Sequence, residues 1–272
     1  MQPASERHSI ERDASLLVRG LGRIRDAVVS LAYPADCRVC GESLQNWHDG
    51  VCCAQCWTNP EITRFFDRET SCARCGAPLT RTHASSEIKP ADSTRPSCGR
   101  CVTIPLDAAR AVGEYGGAIE ASIIFLKQHP YLCKRLRRLL VDAYQRFRPD
   151  LASDLIIPIP LHRLREKERG FNQADVIARV LASELAIPVG KNILSRVRAT
   201  ARHRLGMDAH DRSRSVEGAF EIAKAGALLG ARVLVVDDLF TTGSTICAAA
   251  LCLREAGAEA VSALTIGRVL LH

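Results

Sequence analysis

The sequence predicts an α/β protein: a parallel sheet flanked by helices, preceded by an amphipathic helix and a small cysteine-rich module. Three observations carry that expectation. Residues 233–236, Val-Leu-Val-Val, form an apolar run without period-two alternation, as a parallel strand buried on both faces requires. Helix and strand signals alternate from Ala109 onward. Before that point stand four C-x-x-C pairs in a segment poor in either signal.

The run at 233 leads into Asp237 and Asp238 and then into Leu239, Phe240, Thr241, Thr242, Gly243, Ser244 and Thr245. In open α/β sheets ligands bind beyond the carboxyl ends of strands, so the two aspartates stand where carboxylates would meet a substrate. Thr241, Thr242, Ser244 and Thr245 place four hydroxyls around Gly243, directly before a helix-like run. Hydroxyls, a glycine that lets the backbone come close, and the first free N–H groups of a helix together make an anion site, most naturally for phosphate. A helix cap alone needs one hydroxyl. The glycine spacing matches neither G-x-x-x-x-G-K-[ST] nor G-x-G-x-x-G.

Within residues 1–34, Leu16, Leu17, Leu21, Ile24, Val28 and Leu31 recur at spacings of three and four, the stripe of an amphipathic helix that Tyr33-Pro34 ends. Packing on the protein's own domains is the commoner use of such a stripe than attachment to a membrane surface. Residues 35–106 form the cysteine-rich module, with pairs Cys37/Cys40, Cys53/Cys56, Cys72/Cys75 and Cys98/Cys101. Two residues between thiols make a knuckle that presents both sulfurs to one tetrahedral ion, and two knuckles close a structural zinc site. Sequential grouping assigns Cys37, Cys40, Cys53 and Cys56 to one ion and Cys72, Cys75, Cys98 and Cys101 to another. Interleaved grouping, or Cys52 in place of Cys53, also satisfies the spacing, so one or two zinc ions are expected. His48 and His83 are further donors that eight thiols leave unneeded, and Trp47 and Trp57 either cover the sites or anchor a partner. Residues 80–97, polar and carrying Pro90 and Pro96, read as a loop.

Residues 107–272 hold the α/β part. Ile119, Ile123 and Leu126 give a helical stripe with Lys127 at its end; it breaks at Pro130 and resumes through Leu132, Leu136, Leu139 and Leu140. Lys134, Arg135, Arg137 and Arg138 could meet a phosphate backbone, against a default of a solvated face. Residues 155–160 read as a buried strand, followed by a basic loop from Leu161, His162 and Arg163 through Arg165 and Lys167 to Arg169, Gly170, Phe171, Asn172 and Gln173. Such a loop could hold a polyanion. A helix is expected from about Asn172 to Leu185, and short strands at 192–198 and 218–222. Residues 199–217, rich in arginine, have the profile of a lid or binding loop. A helix over 245–256 and a buried strand over 260–266 complete the set, with Cys133, Cys247 and Cys252 as small buried apolar groups on helices.

Composition bounds the function. The 272 residues carry a formal charge of +7, 47% hydrophobic and only 5% aromatic residues. Two zinc ions on eight thiolates would lower that charge to about +3, so basic character is modest, and a stacking platform for single strands would have few members. No run is long and apolar enough to span a membrane, and no signal-peptide core is present, so a cytoplasmic protein is expected, where paired cysteines serve metals rather than disulfides.

Residues 233–245 closely resemble the phosphoribosyl pyrophosphate (PRPP) motif of type I phosphoribosyltransferases. With the C-x-x-C pairs and Arg169 to Gln173, the chain resembles the ComF family over nearly its whole length, including a Pro-x-Pro-Leu segment at Pro158 to Leu161 and a lysine at Lys127. The resemblance implies a zinc ribbon before a type I phosphoribosyltransferase fold, Mg²⁺ bound with PRPP or a related ribose phosphate, and a link to competence and DNA uptake. Single-stranded DNA and other competence proteins are its candidate partners. Asp237 and Asp238 would contact the ribose hydroxyls as the catalytic pair, residues 241–245 would hold the 5′-phosphate, and Leu161, His162 and Arg163 would face the pyrophosphate. The acceptor is not implied. Three positions depart from the family pattern: His203 where glutamine is usual, Ser215 for an asparagine, and Phe240 for an aliphatic residue.

Overall fold

The computed structural model describes residues 36–44, 50–79, 96–98, 101, 104–198, 218–223 and 225–270. The amphipathic helix expected within residues 1–34, Trp47, His48, His83 with most of its loop, and residues 199–217 with His203 and Ser215 lie outside them. The described strands are β1 (Ala108–Glu114), β2 (Leu155–Pro158), β3 (Leu194–Arg196), β4 (Phe220–Ile222), β5 (Arg232–Phe240) and β6 (Ala260–Arg268). The helices are α1 (Ala54–Thr58), α2 (Gly117–Leu126), α3 (Lys134–Arg146), α4 (Arg148–Leu151), α5 (Arg163–Arg169), α6 (Gln173–Leu185) and α7 (Ser244–Glu255). Among the described residues, no helix is long and apolar enough to cross a membrane.

The sheet order is β1-β6-β5-β2, parallel throughout, while β3 and β4 form a separate antiparallel pair. The unbroken apolar run of β5 is explained by its two coverings. Leu234 and Val236 belong to the core shared with α2, α3 and α6, and Val233 and Val235 to the core shared with α7, β3 and β4. The register sets Pro158 beside Val236, so the loop leaving β2 starts next to Asp237.

Both edges carry further segments. Beyond β2, Ile156 N–H donates to the Pro188 carbonyl at 2.9 Å and Gly190 N–H to the Ile156 carbonyl at 2.8 Å. Beyond β1, Phe65 bridges Gly113 antiparallel, and Glu114 N–H donates to the Arg64 carbonyl at 2.8 Å. That contact is backbone on backbone, because a Cβ at Gly113 would stand 2.2 Å from the Arg64 oxygen. The cysteine module is thus laid along the β1 edge. Arg110 fastens it there: buried within β1, its guanidinium binds Asp150 and donates to the carbonyls of Cys72, Ala73 and Arg74.

Three expectations are corrected, and one strand is new. β1 was not foreseen, since Ala-Ala-Arg-Ala-Val-Gly-Glu has low strand propensity and a central arginine. The stretch after Pro160 is largely helix, α5, not loop; His162 caps its start and Gly170, at φ 81°, ends it. β5 runs through both aspartates to Phe240 because β6 continues to pair with it, Asp237 with Thr265 and Phe240 with Arg268. Finally, Cys133 is buried as the N-cap of α3, but Cys247 and Cys252 are only half-buried.

Candidate active site and metal centres

Asp237 and Asp238 are consecutive strand residues, so they project to opposite faces. Asp238 is buried and faces the α2 and α6 layer, where Lys127 Nζ stands 3.4 Å from its Oδ2. Gln173 Nε2, at the first turn of α6, lies 3.5 Å from the same oxygen and its Oε1 accepts from Arg169. Two side chains from separate stretches, Lys127 and Gln173, therefore meet on one carboxylate, and Arg169 braces the second of them. Asp237 is half-buried, and its Oδ1 accepts the Asp238 N–H at 2.8 Å. Burial, and then the adjacent Asp238 charge, push the Asp237 carboxyl well above the usual range.

The turn after β5 leads directly into α7. Gly243, at φ 82°, is the N-cap of α7, so the first N–H groups of a 12-residue helix follow it. Thr242 Oγ1 accepts the Ser244 N–H at 3.4 Å and donates to Ser244 Oγ at 3.1 Å. Phe240 packs beneath: a Cβ at Gly243 would stand 2.4 Å from the Phe240 ring. The positive φ and the Phe240 ring both disfavour a side chain at 243.

The segment from Leu161 to Gln173 divides into contacting and supporting residues. Gln173 reaches Asp238, and Arg169 holds the Gln173 amide. Asn172 is a support, its Nδ2 donating to the Ile159 carbonyl at 2.9 Å and its Oδ1 accepting the Ala174 N–H at 3.0 Å. Phe171 packs against the core, and Gly170 has open space around it, so only its φ asks for glycine. Among the described residues, no hydrogen bond or ion pair joins Leu161, His162 or Arg163 to the aspartates, and His162 Nδ1 accepts the Leu164 N–H at 3.4 Å. A cavity of about 220 Å³ lies on the far side of β2, lined in part by Pro158, Asp175, Arg179 and Lys191; the aspartates do not border it.

The eight paired cysteines form two tetrads, Cys37, Cys40, Cys53 and Cys56, and Cys72, Cys75, Cys98 and Cys101, each with all sulfurs within 4.8 Å of one another. This is the sequential grouping. The contacts Cys37–Cys56, Cys40–Cys53, Cys72–Cys101 and Cys75–Cys98 are each 3.7 Å. A tetrahedron with zinc–sulfur bonds of about 2.3 Å has edges of about 3.8 Å, so these four contacts fit the ion, while Cys98 and Cys101 stand closer, at 3.1 Å. Gly41 and Gly76, at φ 79° and 71°, turn the two knuckles and donate to the Cys37 and Cys72 carbonyls. The Cys53 and Cys98 N–H groups point at the Cys37 and Cys72 sulfurs. For Cys37, burial works against the thiolate, but N–H groups led by that of Cys40 outweigh it and bring the pKa down to about 6. Cys52 goes the other way: burial pushes it up to about 12, and its Sγ faces the Ala118 carbonyl, which leaves Cys53 as the ligand.

With this geometry established, the comparisons with known proteins are decisive for the family. Residues 167–268 match the phosphoribosyl transferase domain. The DNA utilization protein YhgH of Escherichia coli K12 is 30% identical over 249 residues, covering 88% of this chain and all of that protein. Competence protein F of Haemophilus influenzae is 38% identical over 116 residues, 42% of this chain and 50% of that one. The chain belongs to the ComF family. Competence protein ComFC of Bacillus subtilis matches at 36% over 119 residues, 42% of this chain and 44% of its own. Among solved structures, glutamine PRPP amidotransferase of B. subtilis aligns over 53% of this chain and 30% of its own at 20% identity, with a TM-score of 0.35, a likeness too slight to argue from.

Two arginines of this ComF chain at the site escaped the sequence. Arg196, in β3, lies within electrostatic reach of Asp237 and of Arg165 on α5, and its guanidinium stands 5.5 Å from the Phe220 ring centroid. Arg268 stands 4.4 Å from the Phe240 ring centroid, under the turn at Gly243. Neither could be told from other arginines without the fold, because the signal lies in tertiary neighbours alone.

Proposed function

We propose that the chain binds the magnesium complex of PRPP at the carboxyl end of β5, as a phosphoribosyltransferase-family protein acting in DNA uptake or use. The observation that carries this reading is the meeting of Lys127 and Gln173 on Asp238, with Arg169 bracing Gln173, at a strand end that leads into a Thr-Thr-Gly-Ser turn opening a helix. Asp237 and Asp238 would grip the ribose hydroxyls, and residues 241–245 the 5′-phosphate. Asp237 and Asp238 are the nearby carboxylates for the magnesium that would accompany PRPP, and the ion would supply charge neutralisation on the pyrophosphate. Displacement of pyrophosphate at C1 of the sugar is the reaction such positioning favours, with no residue standing out as general base. The names of the relatives, which speak of DNA utilization and competence, support the cellular setting. Titration calorimetry with Mg·PRPP tests the reading: binding is expected in the wild type and lost in Asp237→Asn/Asp238→Asn. Absence of wild-type binding at millimolar ligand would sink it.

A second reading is favoured by a separate surface beside the first tetrad. Arg38 lies 5.6 Å from the Phe125 ring centroid, His129 stacks on Phe125 at 4.4 Å, and Tyr131 is 44% exposed. Lys134 and Arg138 are exposed nearby in sequence, whereas Arg135 lies over Trp57 and Arg137 pairs with Glu184 at 3.0 Å. Rings interleaved with cations suit single-stranded DNA. Fluorescence anisotropy with a labelled oligothymidylate should show salt-sensitive binding that Tyr131→Ala weakens about tenfold. No binding by the wild type at low salt removes this reading.

A further inference from the structure

Arg268, the last residue of β6, links the second cysteine tetrad to the phosphate turn. On one side its Nη1 donates to the carbonyl of Cys75, inside the second knuckle. On the other its guanidinium faces the ring of Phe240, 4.4 Å from the centroid. Phe240 is 4% exposed and underlies Gly243, the residue from which the first N–H groups of α7 follow. The main chain closes the assembly: Val269 N–H donates to the Phe240 carbonyl at 2.9 Å and Tyr115 N–H to the Arg268 carbonyl at 2.7 Å. Among the described residues no carboxylate pairs with Arg268, and its Nε is buried without a hydrogen-bond partner. The guanidinium is therefore oriented by a knuckle carbonyl and an aromatic face, with the Cys75 sulfur within electrostatic reach.

We infer that Arg268 is a positioning residue through which the second tetrad, holding its metal, fixes the phosphate turn. The inference rests on the reading of residues 241–245 as a phosphate cradle. Metal on the Cys75 sulfur fixes the knuckle, the knuckle fixes its carbonyl, and that carbonyl holds the guanidinium against Phe240. The ring then holds a left-handed glycine whose neighbours supply the anion-binding amides. Phe240 is itself essential to this path. The aliphatic residue usual in the resembled motif offers no π face to a cation.

Amide hydrogen exchange over residues 241–247 of the full, zinc-loaded chain tests this without any ligand. Arg268→Gln and Phe240→Leu are each expected to speed exchange there about tenfold while leaving residues 233–236 protected and the zinc content unchanged. Stripping metal from the wild type should speed the same amides. In parallel, Mg·PRPP affinity should fall by a similar factor in both variants. Exchange within twofold of wild type in both variants would overturn the inference. Should Arg268→Gln fail to fold, Phe240→Leu, which keeps a buried apolar side chain, decides alone. A wild type that ignores Mg·PRPP would end the proposed function but leave the exchange comparison readable, so the two failures are distinguishable.

Discussion

Replacing Asp150 by alanine probes how the second tetrad is held to the sheet. Arg110 is 2% exposed, and Asp150 Oδ2 accepts from its Nε at 3.0 Å and its Nη2 at 2.8 Å, while Arg68 Nη2 reaches Oδ1 at 3.1 Å. Removing one partner of a buried pair costs about 3–5 kcal/mol, because the remaining charge stays buried. The knuckle carbonyls around Arg110 would still solvate it, so the lower end applies, about 3 kcal/mol. In a domain of this size 1 kcal/mol moves Tm by about 2–4 °C, which gives a fall of roughly 6–12 °C. Thermal unfolding of the zinc-loaded protein by circular dichroism measures it, and a chromophoric chelator reports whether zinc leaves sooner. Asp150→Asn, which keeps an acceptor, should lose less. Arg110→Met/Asp150→Leu should recover much of the loss, since apolar replacement of a buried pair is often neutral. A fall of under about 2 °C for Asp150→Ala, with the double variant no better, would refute the idea that this pair fastens the module.

Other consequences are open to measurement. Because Asp237 holds its proton to higher pH when folded than when unfolded, its own contribution to stability falls as pH rises above about 4. Asp237→Asn removes that loss and should be more stable at pH 7 by on the order of 1 kcal/mol, with the gap vanishing in acid; denaturant titrations at pH 7 and pH 3.5 check the sign. Gly243→Ala meets both a positive φ and the Phe240 ring, so it should cost roughly 2 kcal/mol or more and weaken anion binding at the turn. Stepwise chelation should empty the first tetrad before the second, because Cys40 is exposed and Cys53 half-buried, whereas Cys72, Cys75 and Cys101 are buried. Release in the opposite order, followed by cobalt or cadmium thiolate absorption in single-tetrad variants, would count against burial as the controlling factor.

What could be read from the chain followed from how local its cause was. The run at 233–236, the Asp-Asp pair and the turn around Gly243 are contiguous, and each knuckle is made by neighbours, so spacing alone conveyed them. β1 was invisible because its stability comes from elsewhere: Arg110 is buried only because Asp150, 40 residues away, and knuckle carbonyls receive it. α5 lacked apolar periodicity, and its residues are mostly exposed, so only His162 and Gly170 marked its ends. At the site, the sequence supplied the aspartates, and resemblance alone supplied Lys127. Arg268 and Arg196 act through contacts that no spacing rule encodes.

The strip of chain at residues 64–66, laid on β1 through Gly113, has a bearing on how the protein fails. An open strand edge is a row of unsatisfied donors and acceptors that another chain can join. Here the cover over that edge belongs to the segment between the two tetrads, and if each tetrad holds an ion that segment's shape would depend on metal. Zinc starvation would therefore uncover a pairing surface while most of the sheet is still intact. The metal-poor protein should be lost to self-association before it is lost to unfolding, and zinc supply during synthesis becomes a condition of solubility.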